Sequence, residues 1–280
     1  MPELPEGETM RRAVSPVVGS RVVEVEQVRC RKRALTTRPG WSALRRRLAG
    51  RTVEAVERAG KRVVLRFCDQ ARLVFEPRMT GLVLLGDPPS AEHLRLRLHL
   101  SGGRAPQLLY WDRRGLGVIS LLDPQEYQAE LGPERLGPDA LGIPAAVLAE
   151  RLGRRRVPLK VGLLDQSALA GVGNIYASES LHLARLHPQR PCAGLSRAEW
   201  GRLAEALREV LETAVAHEGS DLGDGTYRSA LEGSRAEYQN MHRVYGREGE
   251  LCPTCRRARV QRTVLAQRAT FFCRRCQSAR

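Results

Sequence analysis

Lysine is almost absent from this chain of 280 residues. Only Lys32, Lys61 and Lys160 occur among 46 basic residues, and arginine supplies the rest. Acidic residues are too few to balance them, so the net charge is +15. This excess argues against a cationic partner and indicates an anionic one. Arginine binds phosphate through paired hydrogen bonds, which favours nucleic acid, although genomic GC bias would also replace lysine by arginine without a functional reason.

Long apolar runs are also missing. No stretch approaches the roughly 18 apolar residues needed to cross a bilayer, and no short apolar segment follows a basic stretch near the N-terminus. We therefore expect neither a membrane span nor a secretory signal, and we expect an intracellular protein. Apolar residues still make up 42% of the chain, which favours a folded core over disorder.

The seven cysteines do not suit a secreted disulfide framework. Three of them are scattered and are expected to be small buried residues. The other four form two Cys-x-x-Cys pairs separated by seventeen residues, which is typical of a four-thiolate zinc site on a β-hairpin. One structural Zn²⁺ is therefore predicted. Its ligands are Cys252, Cys255, Cys273 and Cys276.

The surroundings of these cysteines are strongly basic. Residues 252–280 contain eight arginines and no acidic residue. A hairpin held rigid by the metal would present this charge to a phosphate backbone, whereas the simpler alternative is a solvated basic tail.

Alternating apolar and polar residues predict an antiparallel β-rich domain in the first half of the chain. The clearest case is residues 94–100, where leucine alternates with arginine and histidine. A sandwich or a barrel is the expected architecture, and a short helix is expected over residues 6–17. The other predicted strands cover residues 22–28, 52–57, 62–67, 107–111 and 117–122.

Proline and glycine break this pattern between residues 133 and 144, and helical periodicity follows. The clearest helix covers residues 196–217, because Ser196 and Glu199 match a capping box and an apolar stripe, expected to be core, follows them. We predict an N-terminal domain, a linker, a helical domain and a metal-binding module. Their residues are 1–133, 134–146, 147–250 and 251–280.

The N-terminus carries the most informative chemistry. The chain starts Met1-Pro2-Glu3, and removal of Met1 would leave the secondary amine of Pro2 exposed for reaction. An α-amino group has a reference pKa of roughly 8, against about 10.4 for lysine, so it is more often unprotonated and nucleophilic near neutral pH. Taken alone, the tripeptide is better explained as an extended entry to a helix.

Three segments resemble one known family. Residues 1–9 are similar to the N-terminal signature of the formamidopyrimidine-DNA glycosylase and endonuclease VIII family, in the Pro-Glu-Leu-Pro-Glu form of the formamidopyrimidine branch. Residues 171–179 resemble its helix-two-turn-helix signature, and residues 266–273 resemble its zinc-finger signature. The resemblance implies an α+β multidomain fold: an N-terminal antiparallel β-sandwich flanked by helices, a helical helix-two-turn-helix domain and a β-hairpin zinc finger.

The same resemblance implies a bifunctional DNA glycosylase and AP lyase of base excision repair. Pro2 would attack C1′ of an oxidised nucleoside, Glu3 would supply a proton to the deoxyribose, and Glu6 would order the site. Lys61 and Arg268 would contact phosphates near the reacting sugar and support β,δ-elimination.

Other residues inherit DNA contacts from the resemblance. His93, Arg155, Lys160 and Asn174 match residues that bind DNA. The side chains that would fill the gap left by an extruded nucleotide are Met79, Arg114 and Leu116. Leu116 departs from the phenylalanine of the family and stacks less well on bases, so altered opposite-base discrimination or lesion search is expected.

The resemblance favours oxidised purines, such as 8-oxoguanine and formamidopyrimidines, in damaged double-stranded DNA. Residues 220–239 are long enough for a loop over the damaged base, but their sequence does not match closely, so no lesion contact is assigned. An endonuclease VIII-like enzyme for oxidised pyrimidines and a catalytically inactive zinc-dependent DNA-binding relative remain alternatives, with an RNA-binding protein less favoured. We expect a monomer in the bacterial cytoplasm, associated with the nucleoid.

Overall fold

The computed structural model describes residues 2–221 and 236–278. Contacts divide the chain into two units, Met1–Gly132 with His217–Glu237, and Pro133–Ala216 with Tyr238–Arg280. The contacts thus assign His217–Glu237 to the first unit, and the four domain boundaries given above stay a prediction. Most of the loop proposed at residues 220–239, including Tyr227 and Arg228, lies outside the described residues.

Two β-sheets build the first unit. One is antiparallel, with the strand order β1-β7-β8-β6. The other has the order β2-β9-β5-β4-β3, and its β2–β9 pair is parallel while the others are antiparallel. The strands are β1 (Arg21–Gln27), β2 (Thr36–Arg38), β3 (Val53–Ala59), β4 (Arg62–Phe67), β5 (Arg72–Glu76), β6 (Gly81–Leu84), β7 (Leu94–Ser101), β8 (Gln107–Asp112) and β9 (Val118–Leu122).

Side chains from both sheets share one hydrophobic core, which confirms the predicted sandwich. The alternation in β7 places Leu94, Leu96 and Leu98 in this core. Three strands were not predicted. β5 is apolar on consecutive positions and buried on both faces, so it shows no alternation, while β2 and β6 span only three and four residues.

Three helices accompany the sheets: α1 (Leu4–Ala13), α2 (Trp41–Leu48) and α3 (Pro124–Leu131). Helix α1 begins two residues earlier than predicted because Glu3 and Glu6 form a capping box at its start. It gives way to a 3-10 turn at Ser15–Val17, where Pro16 cannot continue the helical hydrogen bonds. Helix α1 packs against β3, β4 and β6.

The second unit consists of helices and a hairpin. Its elements are α4 (Ala145–Leu152), α5 (Leu159–Leu164), α6 (Asn174–Leu183), α7 (Arg197–Ala216), β10 (Gln261–Leu265) and β11 (Arg268–Phe272). The long helix was predicted correctly: the Ser196 N–H donates to Glu199, the Glu199 N–H donates to Ser196 Oγ, and the apolar stripe is buried. Helix α7 packs on α4 and α6, and α6 packs on β11. None of the helices in the described part of the chain is both long and apolar enough to span a membrane.

Candidate functional site

The N-terminal residues are held inside the first unit. Pro2 is buried, and Glu3 is only 1% exposed. The backbone N–H of Glu3 donates to Glu6 Oε2 at 2.7 Å, within the capping box that starts α1. This arrangement fixes the backbone next to Pro2, so an amine at that position would be oriented before any substrate binds.

Glu6 connects this start to a distant part of the chain. Its Oε1 accepts the backbone N–H of Ser220 at 2.9 Å. The preceding Gly219 has φ +83°, and a Cβ placed on it would lie 2.5 Å from Glu6 Oε1. A side chain at Gly219 is therefore excluded on two grounds, its left-handed backbone and the contact with Glu6. Glu6 thus joins the start of α1 to residues 219–220, and its role in ordering the reaction site stays a prediction.

Lys61 lies in the β3–β4 turn beside the first turn of α1. Its backbone carbonyl is 3.5 Å from the position that a Cβ on Gly7 would take. The structure thus brings Pro2, Glu3, Glu6 and the Lys61 backbone to one end of α1. A carboxyl group beside the Pro2 nitrogen, which becomes an amine once Met1 is removed, is an arrangement that amine catalysis at a sugar requires.

Two loops of the first unit are joined by buried polar groups. Thr80 Oγ1 donates to Asp112 Oδ1, and both oxygens accept the backbone N–H of Arg114 at 3.1 Å. Asp112 Oδ2 accepts the N–H of Gly117 at 2.8 Å. Thr80 and Asp112 are 0% exposed. This pair therefore fixes the loop that follows β8 relative to the loop that precedes β6.

The two loops carry Met79, Arg114 and Leu116. Met79 and Leu116 are half-buried, and Arg114 is exposed. Arg78, next to Met79, has φ +55°, a strained conformation for a residue with a side chain. The residues predicted to fill the gap, here called the wedge residues, therefore lie on two loops, the wedge loops, that the Thr80–Asp112 pair connects.

His93 precedes β7 and is 7% exposed. Its ring packs edge-on against Trp111, with centroids 5.6 Å apart, and its Nε2 lies 2.9 Å from Glu92 Oε1. A contact between His93 and DNA remains a prediction.

In the second unit, Asn174 is the first residue of α6, and Gly173 is the N-cap. Asn174 Oδ1 is buried and has no hydrogen-bond partner among the described residues. Helix N-termini present free N–H groups and a positive dipole, both of which suit a phosphate.

Lys160 is 0% exposed, and its predicted contact with a phosphate stays a prediction. Its Nζ donates to Ser178 Oγ at 3.0 Å and to the Ala269 carbonyl at 2.9 Å. Ser178 Oγ in turn donates to the Asn174 carbonyl at 2.9 Å. Lys160 thus links α5, α6 and the β10–β11 hairpin, and a phosphate would have to compete with these bonds. Arg155 is half-exposed and forms an ion pair with Asp165.

Arg268 is exposed and begins β11. It follows a two-residue hairpin turn in which Ala266 and Gln267 have φ +46° and +61°. Such turns match the twist of a hairpin but favour asparagine or glycine, so this turn is strained. Strain beside an exposed arginine supports a functional position for Arg268.

The four predicted cysteine ligands come together. Their sulfur atoms all lie within 4.8 Å of one another. Cys252 and Cys276 Sγ are 3.8 Å apart, and Cys255 and Cys273 Sγ are 3.7 Å apart. Zn–S bonds of about 2.3 Å at tetrahedral angles place sulfur atoms about 3.8 Å apart, so the cluster suits one structural zinc ion.

A buried histidine lies against this cluster. His182 on α6 is 2% exposed, and burial lowers the pKa of its ring. Its Nδ1 lies 3.1 Å from Gln277 Oε1, and its Nε2 lies 2.9 Å from Thr254 Oγ1. The same Gln277 oxygen accepts the Cys273 N–H at 3.0 Å. The neutral imidazole therefore ties α6 to both cysteine pairs.

Comparisons with known proteins agree along the whole chain. Residues 1–119 match the formamidopyrimidine-DNA glycosylase N-terminal domain, residues 131–225 match the H2TH domain of the same enzyme, and residues 249–279 match the zinc finger found in FPG and IleRS. The formamidopyrimidine-DNA glycosylase of Chloroflexus aurantiacus is 39% identical over 99% of this chain and 98% of its own length. The chain belongs to the formamidopyrimidine-DNA glycosylase family.

Solved structures of this glycosylase family show the same fold. The crystal structure of the MutM (Fpg) protein of Thermus thermophilus is 39% identical, with a TM-score of 0.83 over 99% of this chain and 98% of that chain. The Lactococcus lactis Fpg in complex with DNA containing an abasic site is 30% identical, with a TM-score of 0.84 over 99% of both chains.

Some residues around the site were not found by sequence reasoning. Thr80, His182 and Gln277 bond to partners that are distant in the chain, and no local pattern marks them. Glu179 is 0% exposed and accepts the backbone N–H groups of three consecutive residues. These residues are Arg243, Val244 and Tyr245. Glu179 lies inside the signature at residues 171–179, and that position is the one signal in the sequence that could have marked it.

We expect His182→Leu to weaken zinc retention. Leucine fills the space but leaves Gln277 and Thr254 without their partner, and loss of groups that orient metal ligands typically costs about 10- to 100-fold in metal affinity. Zinc release to a colorimetric chelator should be at least about tenfold faster. His187→Leu is the matched control, because His187 is also buried but contacts the Phe272 ring. Equal release rates for both variants would contradict this role.

The buried carboxyl group of Glu8 should stabilise the fold by an amount that depends on pH. Burial opposes its charge, but hydrogen bonds from Arg11 and Arg12 and the charge of Arg58 outweigh burial and lower its pKa from 4.5 to about 2. The unfolded state therefore binds the proton more readily, so this stabilisation is present above about pH 4.5 and is lost as pH falls towards 2.

We expect Glu8→Gln to lower the free energy of unfolding by about 2 kcal/mol at pH 7, and by about half as much at pH 3.5. Chemical denaturation at both pH values measures this difference, with Glu24→Gln on an exposed position of β1 as the control. A Glu8→Gln effect that is equal at both pH values would contradict the linkage.

Proposed function

We propose that this chain is a bifunctional DNA glycosylase and AP lyase that excises oxidised purines during base excision repair. The observation that carries the proposal is the buried Pro2-Glu3 start, ordered by the capping box with Glu6, in a chain of this family. Pairing of a potential N-terminal amine with buried carboxyl groups suits Schiff-base chemistry better than simple DNA binding.

The proposed reaction begins at the Pro2 nitrogen. The Pro2 nitrogen attacks C1′, the C1′–base bond breaks, and the base leaves with a proton. Glu3 donates the proton that opens the deoxyribose ring, which gives a cationic iminium on C1′. The iminium makes the C2′ proton acidic, and the Glu3 carboxylate takes that proton as the 3′ phosphate leaves. Loss of a second proton, from C4′, expels the 5′ phosphate, and water finally releases the sugar fragment from Pro2.

The remaining site residues bind the extruded nucleotide and its phosphates. A base within a duplex reacts only after it leaves the stack, and the gap must be filled. We assign that role to Met79, Arg114 and Leu116. Phosphate contacts are assigned to Lys61, His93, Arg155, Asn174 and Arg268, with Lys160 acting beside Asn174 through Ser178.

We expect Thr80→Val to impair lesion processing by disconnecting the two wedge loops. Valine has the shape of threonine, but it leaves Asp112 and the Arg114 N–H without the hydroxyl group, a loss of about 1 to 3 kcal/mol. The rate of strand cleavage under limiting enzyme should fall about tenfold or more. Ser120→Ala, which changes another buried hydroxyl of the first unit, is the control. An unchanged rate for Thr80→Val would remove the positioning role.

The proposed partner is damaged double-stranded DNA, bound by a monomer in the bacterial cytoplasm at the nucleoid. Base release from matched duplexes tests the substrate class. Faster release of 8-oxoguanine opposite cytosine than of thymine glycol supports the proposal. The reverse order would identify an oxidised-pyrimidine enzyme, and binding without release from any duplex would identify an inactive DNA-binding relative.

A further inference from the structure

A cavity in the first unit carries positive charge that the proposed chemistry does not use. Its volume is about 500 Å³, and the charged residues in its lining, among those that the structure describes, are all arginines. Arg29, Arg31 and Arg95 supply that charge, and Trp41 and Leu35 supply an apolar wall. Its volume lies in the range of sites that hold a nucleotide-sized ligand.

One of the arginines that line the cavity, Arg95, is buried and does not lie on the surface. It lies on β7 and is 2% exposed. Its Nε donates to the Asp112 carbonyl at 2.8 Å and its Nη1 to the Arg33 carbonyl at 2.9 Å. Its Nη2 is buried without a hydrogen-bond partner among the described residues. The Asp112 carboxylate is engaged by Thr80, Arg114 and Gly117 instead.

Both acceptors of Arg95 are neutral carbonyl groups. These bonds leave Arg95 Nη2 without a partner among the described residues, and an anion in the adjoining cavity would satisfy it. Arg29 and Arg31 are exposed, so their guanidinium groups can bind such an anion through bidentate hydrogen bonds.

The position of the cavity indicates the source of the anion. Cys30 Sγ donates to the Glu92 carbonyl, next to His93, at 3.1 Å. A Cβ on Gly115 would lie 2.6 Å from the Arg33 carbonyl and 3.2 Å from Arg95 Nη2. The cavity wall therefore packs directly against the loop that carries Arg114. The segment at His93 and the loop that carries Arg114 are both proposed to contact DNA.

We propose that this cavity binds a backbone phosphate of the DNA duplex, with Arg29 and Arg31 as its ligands and Arg95 as the buried charge behind them. The inference rests on the proposed function only in taking DNA as the partner. The same chemistry would fit the phosphate of a free nucleotide, so the experiment separates these two sources.

The test measures the affinity for an undamaged duplex against NaCl concentration. Each phosphate contact contributes about 0.9 to the slope of log Kd against log salt. The pair Arg29→Gln and Arg31→Gln should lower that slope by about 0.9, the share of one phosphate, and weaken binding about fivefold near physiological salt. Arg104→Gln, an exposed arginine between β7 and β8, removes one charge elsewhere and should leave the slope unchanged. An unchanged slope for the pair would overturn the proposal.

Arg95→Met should lower the slope by a similar amount, and if that variant does not fold, the surface pair carries the test alone. Fluorescence of Trp41, taken as the difference between wild type and Trp41→Phe, reports the ligand directly. A change with duplex supports the DNA phosphate. Saturation by inorganic pyrophosphate at micromolar concentration, with no change from duplex, would assign the cavity to a free phosphate ligand and overturn the DNA assignment.

The duplex is undamaged, so these measurements need no base release. A reduced slope in an enzyme that releases no base would refute the proposed function and leave the cavity assignment standing. Normal base release with an unchanged slope would refute the cavity alone.

Discussion

A chain with extra residues joined before Pro2 should lose base release by at least about 1,000-fold and form no borohydride-trapped complex. The extension changes no side chain. It converts the Pro2 nitrogen into an amide, whose lone pair is delocalised and does not attack carbon. Because the proposed mechanism passes through this nitrogen for both base release and strand cleavage, both activities should disappear together.

The matched control is the same fusion cut by a protease that leaves Pro2 at the N-terminus. Cleavage should restore both activities in the same preparation, which excludes misfolding as the cause. Binding to a duplex with a non-hydrolysable abasic analogue should remain, because the phosphate contacts do not involve the amine. Base release by the uncut fusion at the rate of the cleaved enzyme would show that another group is the nucleophile.

Loss of zinc should have the second large effect, and it should act on DNA binding. Cys273 is 0% exposed, and its N–H donates to Gln277, so Cys273→Ser removes a ligand from the centre of the cluster. Structural zinc sites of this type contribute folding energy directly. Without the ion, the hairpin that carries Arg268 should lose its order, and duplex affinity should fall about 100-fold or more.

The measurement combines zinc content with duplex affinity at one fixed salt concentration. Wild type should contain one zinc ion per chain and Cys273→Ser none. Cys68 lies outside the cluster and is exposed, not buried as the sequence predicted, and Cys68→Ser should match wild type in both. Duplex affinity of a zinc-free Cys273→Ser protein equal to that of wild type would contradict a role for the metal in DNA binding.

Features that depend on residues close together in the chain could be predicted from the sequence. The two cysteine pairs, the capping box of α7 and the alternation of β7 all depend on spacing within a few residues, and the structure confirms them. Strand β5 could not be predicted by alternation, because both of its faces are buried.

The supports of the site depend on contacts between distant residues, which a single sequence does not reveal. His182 and Gln277 are 95 positions apart, and Thr80 and Asp112 are 32 positions apart. Lys160 shows the same difficulty. Its match to a family lysine implied a phosphate contact but not the hydrogen bonds of its buried amino group to Ser178 and the Ala269 carbonyl.

The identity of the nucleophile is the central claim, and one measurement tests it most directly. The purified protein is mixed with a duplex that contains one 8-oxoguanine opposite cytosine, reduced with borohydride, digested, and analysed by mass spectrometry. The account predicts a covalent DNA adduct on the peptide that begins at Pro2, with Met1 removed. An adduct on Lys61 or any other lysine, or no adduct from an enzyme that still releases the base, would contradict it.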